Sequence, residues 1–140
     1  MLRAFDKLLI VLASALLLFV SFPASADKGW IKLVSAEDGS TWEAMPGSFE
    51  FSQNKSDVPI AVLAGRAISA KRKKIELSKW YVTAGDCKNK MGKLVTLNVS
   101  GEYQFESDFI FDSGNVASFI AKFICDVADQ SIKNADGKSL

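Results

Sequence analysis

The chain has 140 residues, 49% of them hydrophobic, with 17 basic and 16 acidic side chains, two cysteines and no histidine. That length allows one domain with a modest core. Its near-neutrality removes any global pull on nucleic acid or anionic membrane, and the missing histidine excludes every nucleophile or zinc site built on an imidazole.

The N-terminus reads MLRAFDK, then LLIVLASALLLFV, then SFPASA. A charged start, an apolar run and small residues at Ala24 and Ala26 predict a secretory signal peptide over residues 1–26, cleaved after Ala26. The apolar run, Leu8 to Val20, has 13 residues and falls short of the roughly 20 that span a bilayer. Pro23 and the Ala-Ser-Ala end also fit cleavage rather than anchoring, and no cysteine stands at the cleavage point to carry a lipid. The expected address is therefore periplasmic or secreted, with no membrane span after cleavage. The mature chain, Asp27 to Leu140, carries 15 basic and 15 acidic residues and no net charge.

Trp30–Ala36 has the β-branched and aromatic content of a strand. Asp38-Gly39 suits a tight hairpin turn, and Thr41–Met45 reads as the return strand, ended by Pro46-Gly47. The polar stretch 48–59, with Asn54, Ser56, Asp57 and Pro59 as breakers, reads as a long loop. Ile60–Ile68 is apolar enough for a central strand, and Gly65 marks a bend or bulge in it. Ser69–Lys74 (SAKRKK) is a charged connection to a strand over Ile75–Thr83. After AGDCKNKMGK come strands over Leu94–Val99 and Tyr103–Phe111. In the latter, period two places Tyr103, Phe105, Phe109 and Phe111 on one face.

Val116, Phe119, Ile120, Phe123, Ile124 and Val127 then recur at helical spacing. Ser113 is the expected N-cap, with Asp112 beside it at the positive end of the dipole. An amphipathic helix is predicted from Ser113 to about Asp126, and residues 129–140 read as a polar tail that frays. Short connections favour antiparallel pairing. The prediction is one α+β domain over 27–128, an antiparallel sheet of about six strands with a C-terminal helix packed on one face.

Cys87 and Cys125 could serve as a reactive thiol, a metal site or a disulfide. Lys88 and Lys90 could lower a thiol pKa, but no histidine base is present. Two lone cysteines 38 positions apart have no zinc spacing. An even count and an oxidising compartment predict a disulfide. On the predicted helix, Cys125 lies nearly opposite the stripe centred on Phe119 and Phe123. Either the helix loosens before it, or the bridge runs along the helix flank.

With these residues in view, the chain resembles the surface-adhesin protein E-like family of bacterial envelope proteins. The resemblance rests on the strand led by Trp30, the Asp38-Gly39 turn, Asp86-Cys87, Gly92, and a C-terminal helix ending in Ile124-Cys125. The longer EAMPGSFEFSQNKSDVP departs from the family pattern. The resemblance implies an antiparallel sheet with a helix and one disulfide, and a non-enzymatic, adhesin-like recognition of a macromolecular partner, a protein or glycan of the envelope or host. An alternative is a periplasmic inhibitor of a lytic enzyme, because Ser100-Gly101-Glu102-Tyr103 is similar to the SGxxY loop of lysozyme inhibitors, one residue shorter. A structural envelope protein is a further alternative.

Other candidate binding residues are few. Lys71, Arg72, Lys73 and Lys74 could grip phosphates, heparin-like glycans or lipid headgroups, or could simply solvate a turn. Nine basic residues fall between Arg66 and Lys93 and six acidic ones between Glu102 and Asp129. These stretches could offset each other on one solvated face or form a dipolar docking surface. Asn98-Val99-Ser100 matches a glycosylation acceptor, read here as chance. Trp30, Trp42 and Trp80 are expected in the core or on strand faces, an exposed one being a candidate anchor. Glu43, Glu50 and Asp57 have no spacing that singles out an acid/base pair. No cofactor, metal or nucleic acid is expected, and no enzymatic activity.

Overall fold

A computed structural model describes residues 29–135. The expected signal peptide and the end of the polar tail lie outside the described residues. From Ile31 onward the chain forms one unit. Its elements are β1 (Ile31–Ser35), β2 (Thr41–Ala44), β3 (Glu50–Gln53), β4 (Pro59–Ser69), β5 (Lys74–Thr83), α1 (Ala84–Asn89), β6 (Met91–Leu97), β7 (Tyr103–Ile110) and α2 (Val116–Ala135). All the strands pair antiparallel in one sheet, in the order β1-β2-β4-β5-β6-β7, with β3 beside β4. The α+β class is as the sequence predicts.

The sheet has seven strands rather than about six. The extra one, β3, lies in the stretch 48–59 that reads as loop. Long β4 accommodates it on one edge: Gly65–Ile68 pair with β2, and Pro59–Val62 pair with β3. Pro59 opens the strand, where its missing N–H is tolerated. The true turn is shorter than expected. Asn54 builds it, its Oδ1 accepting from the N–H groups of Ser56 and Val58 at 2.8 and 3.0 Å.

AGDCKN forms a short helix. The hydroxyl of Thr83 caps it by accepting from the N–H of Asp86 at 3.1 Å. Asp86 also accepts from the N–H of Lys93 at 3.0 Å. A β-carbon on Gly92 would collide with the Asp86 carboxylate, so only glycine fits there.

Helix α2 covers one face of the sheet. Register places Ala44, Ala61, Leu63, Trp80, Val82, Leu94 and Phe109 on that face, where they are buried against Ile120, Ala121, Ile124, Cys125 and Ala128. Three expectations for the helix are corrected. Asn115, not Ser113, is the cap, accepting from the N–H of Ser118 at 2.8 Å. The helix runs to Ala135, through the start of the predicted tail, with Lys122–Asp126 and Lys133–Asp129 pairs along it. The buried stripe is also rotated. Ser118, Ala121 and Ala128 face the sheet, while Phe119 is 48% exposed.

Small side chains let the helix axis approach the sheet closely, a gain in dispersion contacts that a Phe119-centred stripe would forfeit. Ser118, 1% exposed, anchors the helix start: its hydroxyl accepts from the N–H of Ile110 at 3.0 Å and bonds the Ser113 hydroxyl at 2.7 Å. The rotation also resolves the position of Cys125. It lies on the buried face and is joined to Cys87 of α1, with Cα atoms 5.5 Å apart. The helix does not loosen to make the bridge.

One strand face also differs. The register of β6 with β7 shifts between Thr96 and Leu97, so Phe105 stands opposite Thr96 but Tyr103 opposite Leu97. This bulge turns Tyr103 to the face away from α2, the face of Glu106. Tyr103 therefore does not share the face of Phe105 and Phe109.

Candidate functional site

The register of the hairpins puts three turns at one end of the sheet: 36–40, 70–73 and 98–102. α2 crosses the other end, beside α1. Toward the three turns, the helix-side face of the sheet carries Trp42 of β2, Trp80 of β5 and Phe105 of β7. They line a cleft of about 630 Å³, within the range of sites that hold small ligands or chain segments. Trp80 is 3% exposed and forms its floor, and Phe105, 54% exposed, stands free at one side.

Trp80 is held flat by the backbone opposite it. Gly65 lies under the indole, and a β-carbon there would strike ring atoms Cζ3 and Cη2 and the carbonyl oxygen of Glu43. The glycine predicted as a bend is thus a seat for an aromatic ring. Ser78 and Thr96, flanking Trp80 on the same face, add hydroxyls to the cleft.

The rim carries charge. Lys71, Arg72 and Lys74, at the β4–β5 turn, line the cleft. The turn is set by the Ser69 hydroxyl, which accepts from the N–H of Arg72 at 3.2 Å, and by Lys73 at φ 50°. That conformation leaves Lys73 out of the lining. Two carboxylates share the rim. Glu76 lies 3.9 Å from the Lys74 ammonium. Asp38, on the β1–β2 turn, accepts from the N–H of Ser40 at 2.9 Å. That backbone bond, with the Ser40 hydroxyl and then the charge of Lys71, holds the Asp38 carboxyl below its ordinary range. The rim is therefore mixed, with cations in excess.

Of the residues singled out from sequence, Lys71, Arg72 and Lys74 come together with Trp42 and Trp80, and Lys73 does not. Ser100 and Tyr103 lie elsewhere. Ser100 is in a turn organised by Asn98, whose Oδ1 accepts from the N–H groups of Ser100 and Glu102, each at 2.9 Å. Tyr103 lies in β7 with its side chain on the other face. There desolvation first, then the negative charge of Glu106 and the hydrogen bond to it, push the phenol pKa up. Phe105, Asp38 and Glu76 join the site without having been singled out for it. The signal for Phe105 was its place on the helix-side face near the start of β7, beyond the reach of a helix that enters at the strand's end.

A second recess of about 480 Å³ lies beside the disulfide, walled by Phe51, Phe111 and Ile132. Lys88 of α1, Lys90 at its C-cap, and Asp126 and Asp129 of α2 line it. The basic and acidic stretches thus meet in this recess and again where Lys93 pairs with Asp108 across β6–β7. The Lys71–Lys74 turn lies at the other end of the sheet. Among the described residues, no group of potential ligands is placed to hold a metal, and no helix is long and apolar enough to cross a membrane. No family model, curated protein or solved structure matches the chain.

Proposed function

We propose that this chain is an exported envelope protein that binds an anionic macromolecular partner, without catalysis, in the cleft of Trp42, Trp80 and Phe105. The observation that carries the reading is the set of Lys71, Arg72 and Lys74 around an aromatic floor. Aromatic residues and arginine supply most of the energy at recognition surfaces, and a cationic rim steers an anionic partner onto them. The leader pattern and the Cys87–Cys125 bond support export. The resemblance to the surface-adhesin protein E-like family suggests the same adhesin-like role.

The test is surface plasmon resonance of the purified protein over immobilised matrix proteins and acidic glycans at increasing salt. The expected result is saturable binding that weakens as salt rises and disappears in the triple variant Lys71→Ala/Arg72→Ala/Lys74→Ala. Saturable binding to none of these surfaces would refute the proposal. So would binding that the triple variant retains.

A further inference from the structure

We infer that the partner at this cleft is an acidic glycan, recognised through its sugar rings as well as its charge. The inference rests on the proposed anionic partner and names its chemistry. Three features of the cleft coincide. The first is a platform of aromatic side chains, with Trp42 and Phe105 on either side of the Trp80 floor. The negative face of an aromatic ring attracts the polarised C–H bonds of a sugar's apolar face. The second is the excess of cations at the rim, with Arg72 able to hold a carboxylate or sulfate by two parallel hydrogen bonds.

The third feature separates a glycan from other polyanions. Asp38 and Glu76 stand in the same cleft, and Asp38 accepts from the N–H of Ser40, a bond that favours its charged form. Carboxylates only accept hydrogen bonds. A ligand that presents anions alone is repelled by them. A ligand with hydroxyl donors next to its anions satisfies both halves of the rim. The hydroxyls of Ser40, Ser78 and Thr96, which donate or accept, add to that match. An acidic peptide lacks the dense hydroxyls, and a nucleic acid presents a continuous row of phosphates to Asp38 and Glu76.

Carboxylated and sulfated sugars share this chemistry, and the experiment tells them apart. Tryptophan fluorescence of the purified protein is titrated with hexagalacturonate, a chondroitin sulfate hexasaccharide, maltohexaose, poly-glutamate and a single-stranded DNA oligomer. The expected result is saturable quenching by at least one acidic oligosaccharide, with maltohexaose, poly-glutamate and DNA each at least about tenfold weaker. Whichever acidic oligosaccharide binds tighter identifies the anion. Phe105→Ala, at an exposed position that leaves the core intact, is expected to weaken oligosaccharide binding about tenfold, as the loss of one aromatic contact implies. Equal binding of poly-glutamate or DNA, or no effect of Phe105→Ala, overturns the glycan inference and leaves the anionic-partner proposal standing. Equal binding of maltohexaose overturns the requirement for charge, and with it both readings. Binding of no acidic oligosaccharide overturns the glycan inference, and the anionic-partner proposal falls with it when the immobilised matrix proteins and acidic glycans also go unbound.

Discussion

Gly65→Ala isolates the contact that seats Trp80 beneath the cleft. The added β-carbon meets backbone on one side, the carbonyl oxygen of Glu43, and ring atoms Cζ3 and Cη2 of Trp80 on the other. Neither neighbour can yield easily. Glu43 is fixed in the β2–β4 ladder opposite Arg66, and Trp80 is 3% exposed. Overpacking of this kind costs roughly 1–3 kcal/mol, and a clash blocked on two sides belongs at the upper end. Stiffening the unfolded chain returns about 0.4–1 kcal/mol.

The expected net loss is about 2 kcal/mol, a fall in Tm of about 10 °C for a domain of this size. Urea denaturation followed by far-ultraviolet circular dichroism and by tryptophan fluorescence measures it. Gly85→Ala is the control: its site is open, it lies in the first turn of α1, and alanine there is expected to stabilise by up to about 1 kcal/mol. Trimming the ring in Trp80→Leu should relieve part of the clash, so the two substitutions should couple by about 1 kcal/mol. A Gly65→Ala protein within about 0.5 kcal/mol of wild type, a difference typical of a surface substitution, would refute the packing argument.

Cys87→Ser/Cys125→Ser is expected to lose about 4 kcal/mol by the chain-entropy model for a loop of this length, read as a lower urea midpoint, while thiol titration of the native protein should find no free thiol among the two cysteines. Ser118→Ala leaves the N–H of Ile110 without its acceptor at a site 1% exposed, and a loss of about 1–3 kcal/mol is expected in equilibrium unfolding; no loss would mean the bond is dispensable. The depressed pKa of Asp38 means its contribution is present above the unfolded carboxylate range and is lost as pH falls through the lower folded value. Asp38→Asn should therefore flatten the acid side of the stability profile, and an unchanged profile would remove Asp38 from the account. The hydrogen bond to Asp108, followed by its charge, raises the pKa of Lys93. Its contribution is present below the unfolded lysine range and is lost as pH rises through the raised folded value, so Asp108→Asn should alter the alkaline side of the stability profile, and an unchanged alkaline side would remove this pair from the account.

Much of the fold was legible because its signals are local. Strand periodicity, the Asp38-Gly39 turn and the helical spacing after Ser113 each act within a few residues. β3 was missed because Asn54, Asp57 and Pro59 mark a turn and hid the four strand residues before it. The face of Tyr103 was missed because the bulge opposite Thr96 and Leu97 depends on β6, not on β7 alone. The helix stripe was misplaced because hydropathy favours Phe119 over Ala121, whereas close approach to a sheet favours the smaller side chain. In the cleft, the cations were visible as a run of four, but their aromatic companions come from β2, β5 and β7.

The sequence by itself determined the class of fold, the cysteine pairing and the presence of a basic turn, because composition, count and short-range period suffice for these. The tertiary structure decided which residues meet. Register brought Trp42, Trp80 and Phe105 onto one face, and the path of α2 left that end of the face uncovered. Both depend on strand pairing and on packing between segments far apart in the chain, α2 against β1 and Ala44 among them, and no local pattern in the chain encodes such distances.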